Sequence, residues 1–399
     1  MDNHRAELDG VRGFACLSVL VLHIIIGPIR VAPDSFFAQA RTVIQPFLIG
    51  GVDLFFVLSG FLISGILMDA KGTPARDFFP TFWRRRIGRI FPVYYLMVGL
   101  VPVFYGLHAI FNAKYTSYFI DTVPFWTYAT FTQNFYFIAT GNYGNFLGVT
   151  WSLAMEEQFY LLLPFAIYFL SKRRIAQVAI CLIILAPFVR TVLWELINWR
   201  ASYHLTPGRM DTIMWGVLIA YVVRRPDIMT ALSHRTLLID AMMIGLILIV
   251  AFDVTTLVGQ SVIGQHRSVG LFAITLRYSA LAMLYGLLLL RLSLPGGRRL
   301  KSSFSTTWLA KVGLVSYAAY MYHQLIHFAL YRAVYDTNPL LDRLDKAWMP
   351  VAVFALTFLA AAVSYRYMEK PIQRWARKSE YKRTSPAQAA GNQQAATVA

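Results

Sequence analysis

The chain reads as an all-α polytopic membrane protein of about ten transmembrane helices with both termini in the cytosol. Three observations predict this. Hydrophobic residues make up 57% of 399 and charged residues 14%, with a mean hydropathy of +0.52, where a soluble domain carries roughly 25% charge. About ten apolar stretches are long enough to cross a bilayer. Lys and Arg are spread unevenly over alternate loops, 26 of 37 falling on the side of the N-terminus, which is the positive-inside signature. The net charge of +17 therefore reports topology and anionic lipid, and no nucleic-acid partner is expected.

The first span, residues 11–27, reads VRGFACLSVLVLHIIIG. Arg12 and His23 stand eleven residues apart, about 1,100° of helical rotation, so they share one face about 16 Å apart along the axis. Ionisable groups inside a bilayer are costly and mark function. A guanidinium near the cytosolic end and an imidazole near mid-membrane would hold the two ends of an elongated ligand. The second span, about 45–68, carries Asp53 and the pair Ser59-Gly60, which suits close helix packing. Ahead of the third span, 90–111, the cytosolic loop holds FWRRRIGRIFPVYY. Its Arg84, Arg85, Arg86 and Arg89 serve as a positive-inside flank. Arg86 and Arg89, at i and i+3, also suit bidentate phosphate binding.

The fourth span, 150–170, opens WSLAMEEQFYLLLP. It places Glu156 and Glu157 about two turns inside the non-cytosolic boundary, with Tyr160 one turn below. The carboxylates either pair with a neighbouring helix or orient a general base or acceptor hydroxyl. The fifth span covers 175–195. The sixth, 208–223, begins with Arg209 and Asp211, read equally as a helix-start arrangement or a site. The seventh and eighth cover 237–252 and 271–291. The ninth, 308–331, holds His323 and His327 at a metal-compatible spacing, but no third ligand stands near, so no metal is expected. The tenth, 347–367, completes a transmembrane domain over 1–375, and 376–399 is a basic then disordered polar tail. Cys16 and Cys181 lie in apolar spans, so no disulfide framework is implied, and the first span lacks the cleavage site of a signal peptide.

Seven segments, in order, resemble the acyltransferase-3 family of bacterial inner-membrane O-acyltransferases. They are LDGVRG with Arg12-x10-His23, GVDLFFVLSGFLISG, RRRIGRIFPVYY, WSLAMEEQFYLLLP, GRMDTIMWG, LVSYAAYMYHQLI and YRYMEKPIQRW. The resemblance spans residues 5 to 375. It implies a multi-pass protein of the bacterial inner membrane that moves an acyl group, most often acetyl, from cytosolic acyl-coenzyme A to a hydroxyl of an envelope or exported glycan such as lipopolysaccharide O-antigen. The family's Arg-x10-His and Arg-x-x-Arg hallmarks fall on Arg12, His23, Arg86 and Arg89. On this reading Arg12, Arg84, Arg85, Arg86 and Arg89 hold the phosphates of the donor and His23 is the general base. Glu156 or Glu157 approaches from the acceptor side. Asp53, Tyr160, Arg209 and Asp211 are the acceptor-binding candidates. The resemblance implies a stand-alone member, without the C-terminal esterase-like domain of some relatives. Met321-Tyr322 replaces the usual aliphatic pair, which weakens the expectation of a role for His323. Two other readings compete: transfer to a small hydroxylated metabolite such as a macrolide, and a transporter or flippase, disfavoured by the absence of internal repeats and broken-helix pairs.

Overall fold

The computed structural model describes residues 5–30, 35–111, 119, 121–252, 273–379 and 381. The described residues are almost entirely helical. Twelve helices carry the architecture: α1 (Ala6–Val21), α2 (Phe36–Ile49), α3 (Gly51–Asp69), α4 (Ala75–Phe111), α5 (Trp151–Phe169), α6 (Lys172–Leu196), α7 (Thr206–Val222), α8 (Thr236–Ala251), α9 (Tyr278–Ser293), α10 (Thr307–Tyr335), α11 (Met349–Ser364) and α12 (Lys370–Arg377). The expected polar tail from residue 382 onward lies outside the described residues.

A helix lies at each of the ten expected spans. Among the described residues, six helical stretches are long and apolar enough to cross a membrane on composition alone, and a seventh is reached if Pro226–Ser233 and α8, bent by 78°, count as one span. The stretches at the fourth, sixth and ninth positions, α5, α7 and α10, fall outside that set. These are the helices that carry Glu156 and Glu157, Arg209 and Asp211, and His323 and His327. α7 is short at 17 residues, and polar cargo lowers the hydropathy of α5 and α10.

Two helices begin earlier than hydropathy suggested. α2 and α3 together run from Phe36 to Asp69 with only Gly50 between them, where a side chain would stand 2.6 Å from the Tyr285 hydroxyl. α4 starts at Ala75, fifteen residues before the expected third span. The arginines expected in a loop therefore ride on a helix, because Phe78, Phe82, Tyr94 and Val98 give it a continuous buried face across the charged turn. Local caps close several ends. Ser35 and Ser171 accept backbone N–H groups at the starts of α2 and α6. Lys71 Nζ donates to the carbonyls of Ile167, Tyr168 and Leu170 at the end of α5, at 2.6, 3.0 and 2.7 Å.

Glycines set the closest helix approaches. On α1 a Cβ at Gly10 would lie 1.6 Å from the Phe304 carbonyl oxygen and one at Gly13 would lie 2.2 Å from that of Leu309. On α10 a Cβ at Gly313 would lie 1.9 Å from the Asp9 oxygen. α3 and α7 meet the same way through Gly60 and Gly216. Small residues let backbones touch where lipid offers no hydrophobic drive for association. Because Gly13 meets Leu309, Cys16 meets Ser316 and His23 meets His323, α1 and α10 run parallel, side by side.

Candidate active site

Arg12 sits on the second turn of α1, where its guanidinium reaches one turn back to Asp9 at 2.5 Å. It lines a cavity of about 460 Å³ at the end of the bundle where α1 begins and α3 and α7 finish. Arg5, Asp9, Asp69 and Arg224 supply the other charges of its wall, with Arg224 paired to Asp69 through two bonds. On its inner side Arg12 lies within Coulombic reach of Arg86 and Arg89 from α4. Three guanidiniums from two helices thus converge, although 74 residues of sequence separate Arg12 from Arg86.

The cluster also gathers the carboxylates. Glu156 accepts a hydrogen bond from the Ser59 hydroxyl at 2.8 Å, bonds with Tyr160 and lies in the field of Arg89 and Arg86. Arg86 lies 5.8 Å from the centre of the Tyr160 ring. Glu157 feels Arg86 as well, and its Oε1 is buried without a partner. A third carboxylate, Glu369, comes from the wide turn Tyr365–Glu369 between α11 and α12 and faces Arg89. The expectation that Glu156 and Glu157 approach from the side opposite the arginines therefore changes. α5 descends far enough that Glu156 lies in the field of Arg86 and Arg89 and Glu157 in that of Arg86.

Arg84 and Arg85 do not join this cluster. Arg84 lies over the Trp375 ring at 4.1 Å, and Arg85 donates to the Ser379 carbonyl at 3.1 and 2.7 Å and lies over Tyr381. One hundred degrees per residue turns them to the outer face of α4, where they hold α12.

His23 lies just past α1, inside one wide turn over Leu22–Ile26, a local widening of the kind that often accompanies functional sites. Its Nδ1 is 2.8 Å from Nε2 of His323, and the two rings are parallel at 5.1 Å. His323 is fully buried, and its own Nδ1 is 2.6 Å from the Tyr320 carbonyl oxygen. His327, one turn further along α10, is buried with its Nε2 unpartnered. Among the described residues no cluster of three metal-ligating side chains occurs. Sequence reasoning discounted His323, whose signals were its i, i+4 spacing with His327 and its position in a segment resembling the family.

The remaining candidates form a separate buried ionic group. Asp53 pairs with Arg209, both without exposed surface. Asp211 takes two bonds from Arg190 at 2.9 and 2.8 Å, again with both side chains fully buried. Arg190, not singled out in the sequence, also donates to the Gly208 carbonyl and to Ser279. Tyr278 and Tyr203 flank the Arg209 guanidinium at 4.0 and 4.9 Å. This arrangement ties α3, α6, α7 and α9 together.

A family model described as "Acyltransferase domain" matches residues 5–366. The peptidoglycan O-acetyltransferase OatA of Listeria monocytogenes is 27% identical over 387 residues, 92% of this chain and 56% of that protein. The O-acetyltransferase OatA of Staphylococcus aureus is 24% identical over 392 residues, 92% of this chain and 57% of that protein. The putative peptidoglycan O-acetyltransferase YrhL of Bacillus subtilis is 32% identical over 227 residues, 54% of this chain and 33% of that protein. The chain spans about half the length of the first of these curated relatives. No solved structure matches.

Proposed function

We propose, from the premise that this chain belongs to the acyltransferase domain family, that it moves an acyl group from a coenzyme A thioester to a hydroxyl of an envelope glycan. Acetyl is the expected group and the bacterial inner membrane the expected site. The observation that carries this reading is the shared helix. α1 and its terminal turn bear Arg12 beside Arg86 and Arg89 at one end and His23 beside His323 at the other.

A coenzyme A thioester is a phosphorylated head on a long thin arm, so its two ends need two sites. Guanidiniums suit the head because they bind phosphate bidentately. The cavity beside Arg12 provides room for it at the surface, with Arg5 and Arg224 in the wall. The arm then follows α1 for about three turns to His23. There the acceptor oxygen attacks the thioester carbonyl carbon while His23 takes the hydroxyl proton. The C–S bond breaks, and His23 returns the proton to the leaving thiolate, so the exchange needs no further reactant. Glu156, Glu157 and Glu369 balance the arginines until a phosphate displaces them.

The test is acyl transfer by purified protein from radiolabelled acetyl-coenzyme A to glycan, with His23→Gln beside wild type. A general base contributes roughly 10²- to 10⁴-fold, so turnover should fall by that factor while coenzyme A still binds. Full activity in the folded variant would sink the assignment.

A further inference from the structure

His23 can act as a base only through a ring nitrogen that carries a lone pair and faces open space, and the neighbouring helix decides which nitrogen that is. His323 Nδ1 lies 2.6 Å from the Tyr320 carbonyl oxygen. A carbonyl oxygen only accepts, so Nδ1 of His323 must carry the hydrogen. The ring is fully buried, and among the described residues no carboxylate is hydrogen-bonded to it. A second proton would leave an uncompensated buried cation, at a cost of several kcal/mol. His323 Nε2 is therefore a bare acceptor. It faces His23 Nδ1 at 2.8 Å, so that atom is the N–H donor of the pair. His23 is left with its lone pair on Nε2. The Nδ1 edge is covered by His323, so Nε2 is the ring nitrogen left to meet a substrate.

We infer that His323 is a positioning residue for the transfer reaction, locking His23 in the Nδ1–H form and presenting Nε2 to the acceptor hydroxyl. This rests on the general-base reading of His23 and adds the atom that performs the step. Proton flow balances: Nε2 takes the hydroxyl proton as the C–O bond forms, and releases it to the thiolate as the C–S bond breaks. Nδ1 keeps its hydrogen throughout, and the positive charge that His23 briefly carries is met by the lone pair of His323.

Three samples test it: wild type, His323→Leu and His323→Gln. Glutamine restores a side-chain oxygen that accepts from His23 Nδ1 and an amide that donates to the Tyr320 carbonyl; leucine supplies neither. His323→Leu should lower kcat on the order of 10²-fold with little change in the KM for acetyl-coenzyme A, and His323→Gln should recover most of that loss. In wild-type protein labelled with ¹⁵N-histidine, the His23 signal, identified by its disappearance in His23→Gln, should report hydrogen on Nδ1. Should His323→Leu melt too early to assay, the glutamine variant and the wild-type spectrum decide. Hydrogen on Nε2 of His23, or wild-type kcat in folded His323→Leu, would overturn the inference while leaving His23 as base. Full activity in His23→Gln would instead remove the base itself, an outcome independent of residue 323.

Discussion

Asp53 and Arg209 show what a charged residue costs when it is placed for architecture. Neither side chain touches solvent, and Arg209 Nε and Nη1 and Asp53 Oδ2 lack further hydrogen-bond partners. The pair is held by mutual attraction and by the Tyr278 and Tyr203 rings. Removing one partner strands the other, which typically costs 3–5 kcal/mol, whereas replacing both by apolar residues of similar size is often neutral. Arg209→Met alone should therefore lower the melting temperature of detergent-solubilised protein sharply. The double variant Asp53→Leu with Arg209→Met should recover at least half of that loss. Equal melting of Arg209→Met and wild type would show that the pair contributes nothing.

At the scale of the helix, α4 divides its arginines by the face each occupies. Arg84 and Arg85 bind the α12 segment, while Arg86 and Arg89 lie in the field of the α5 carboxylates. Arg84→Ala should leave coenzyme A affinity within about twofold of wild type and loosen α12. Arg86→Ala should weaken that affinity on the order of tenfold, and Arg86→Lys should rescue it only in part. Calorimetric titration of the three variants checks this; equal losses for Arg84 and Arg86 would contradict the division. The shared face of Arg86 and Arg89 was legible from their i, i+3 spacing. The diversion of Arg84 and Arg85 was not legible, because it depends on Trp375 and Ser379, nearly 300 residues away in the chain. The same holds for His323, whose partner is 300 residues distant, and for Arg190, which reads as an isolated charge in span five until Asp211 is placed beside it. Hydropathy also hid the start of α4, since the arginine run looks like a loop until the buried aromatic face is seen to continue through it.

For the whole molecule the expectation concerns direction. The split of 26 basic residues against 11 predicts that reporters fused at Ser171 and at Ala399 are active in the cytosol and that one at Tyr143 is active outside. Agreement between Tyr143 and Ala399 would show that the ten-span assignment, with three crossings before Tyr143 and seven after it, is wrong. The all-helical class and the membrane character were plain from composition. The depth of the carboxylates was not, because one sequence states where a span begins and leaves open how far its polar turns descend toward charges on another helix.

The glycine seam between α1 and α10 makes the two helices a matched pair in heredity. Gly10, Gly13 and Gly313 hold backbone against backbone at one end, and His23 meets His323 at the other, so any lateral shift at the seam is transmitted to the imidazoles. A one-residue insertion between Gly13 and His23 would swing the imidazole by about 100°, out of the reach of His323. Chimeras between family members should accordingly tolerate exchange of α1 together with α10 and lose transfer activity when α1 travels alone. An active chimera carrying only a foreign α1 would mean that each helix drifts freely of the other.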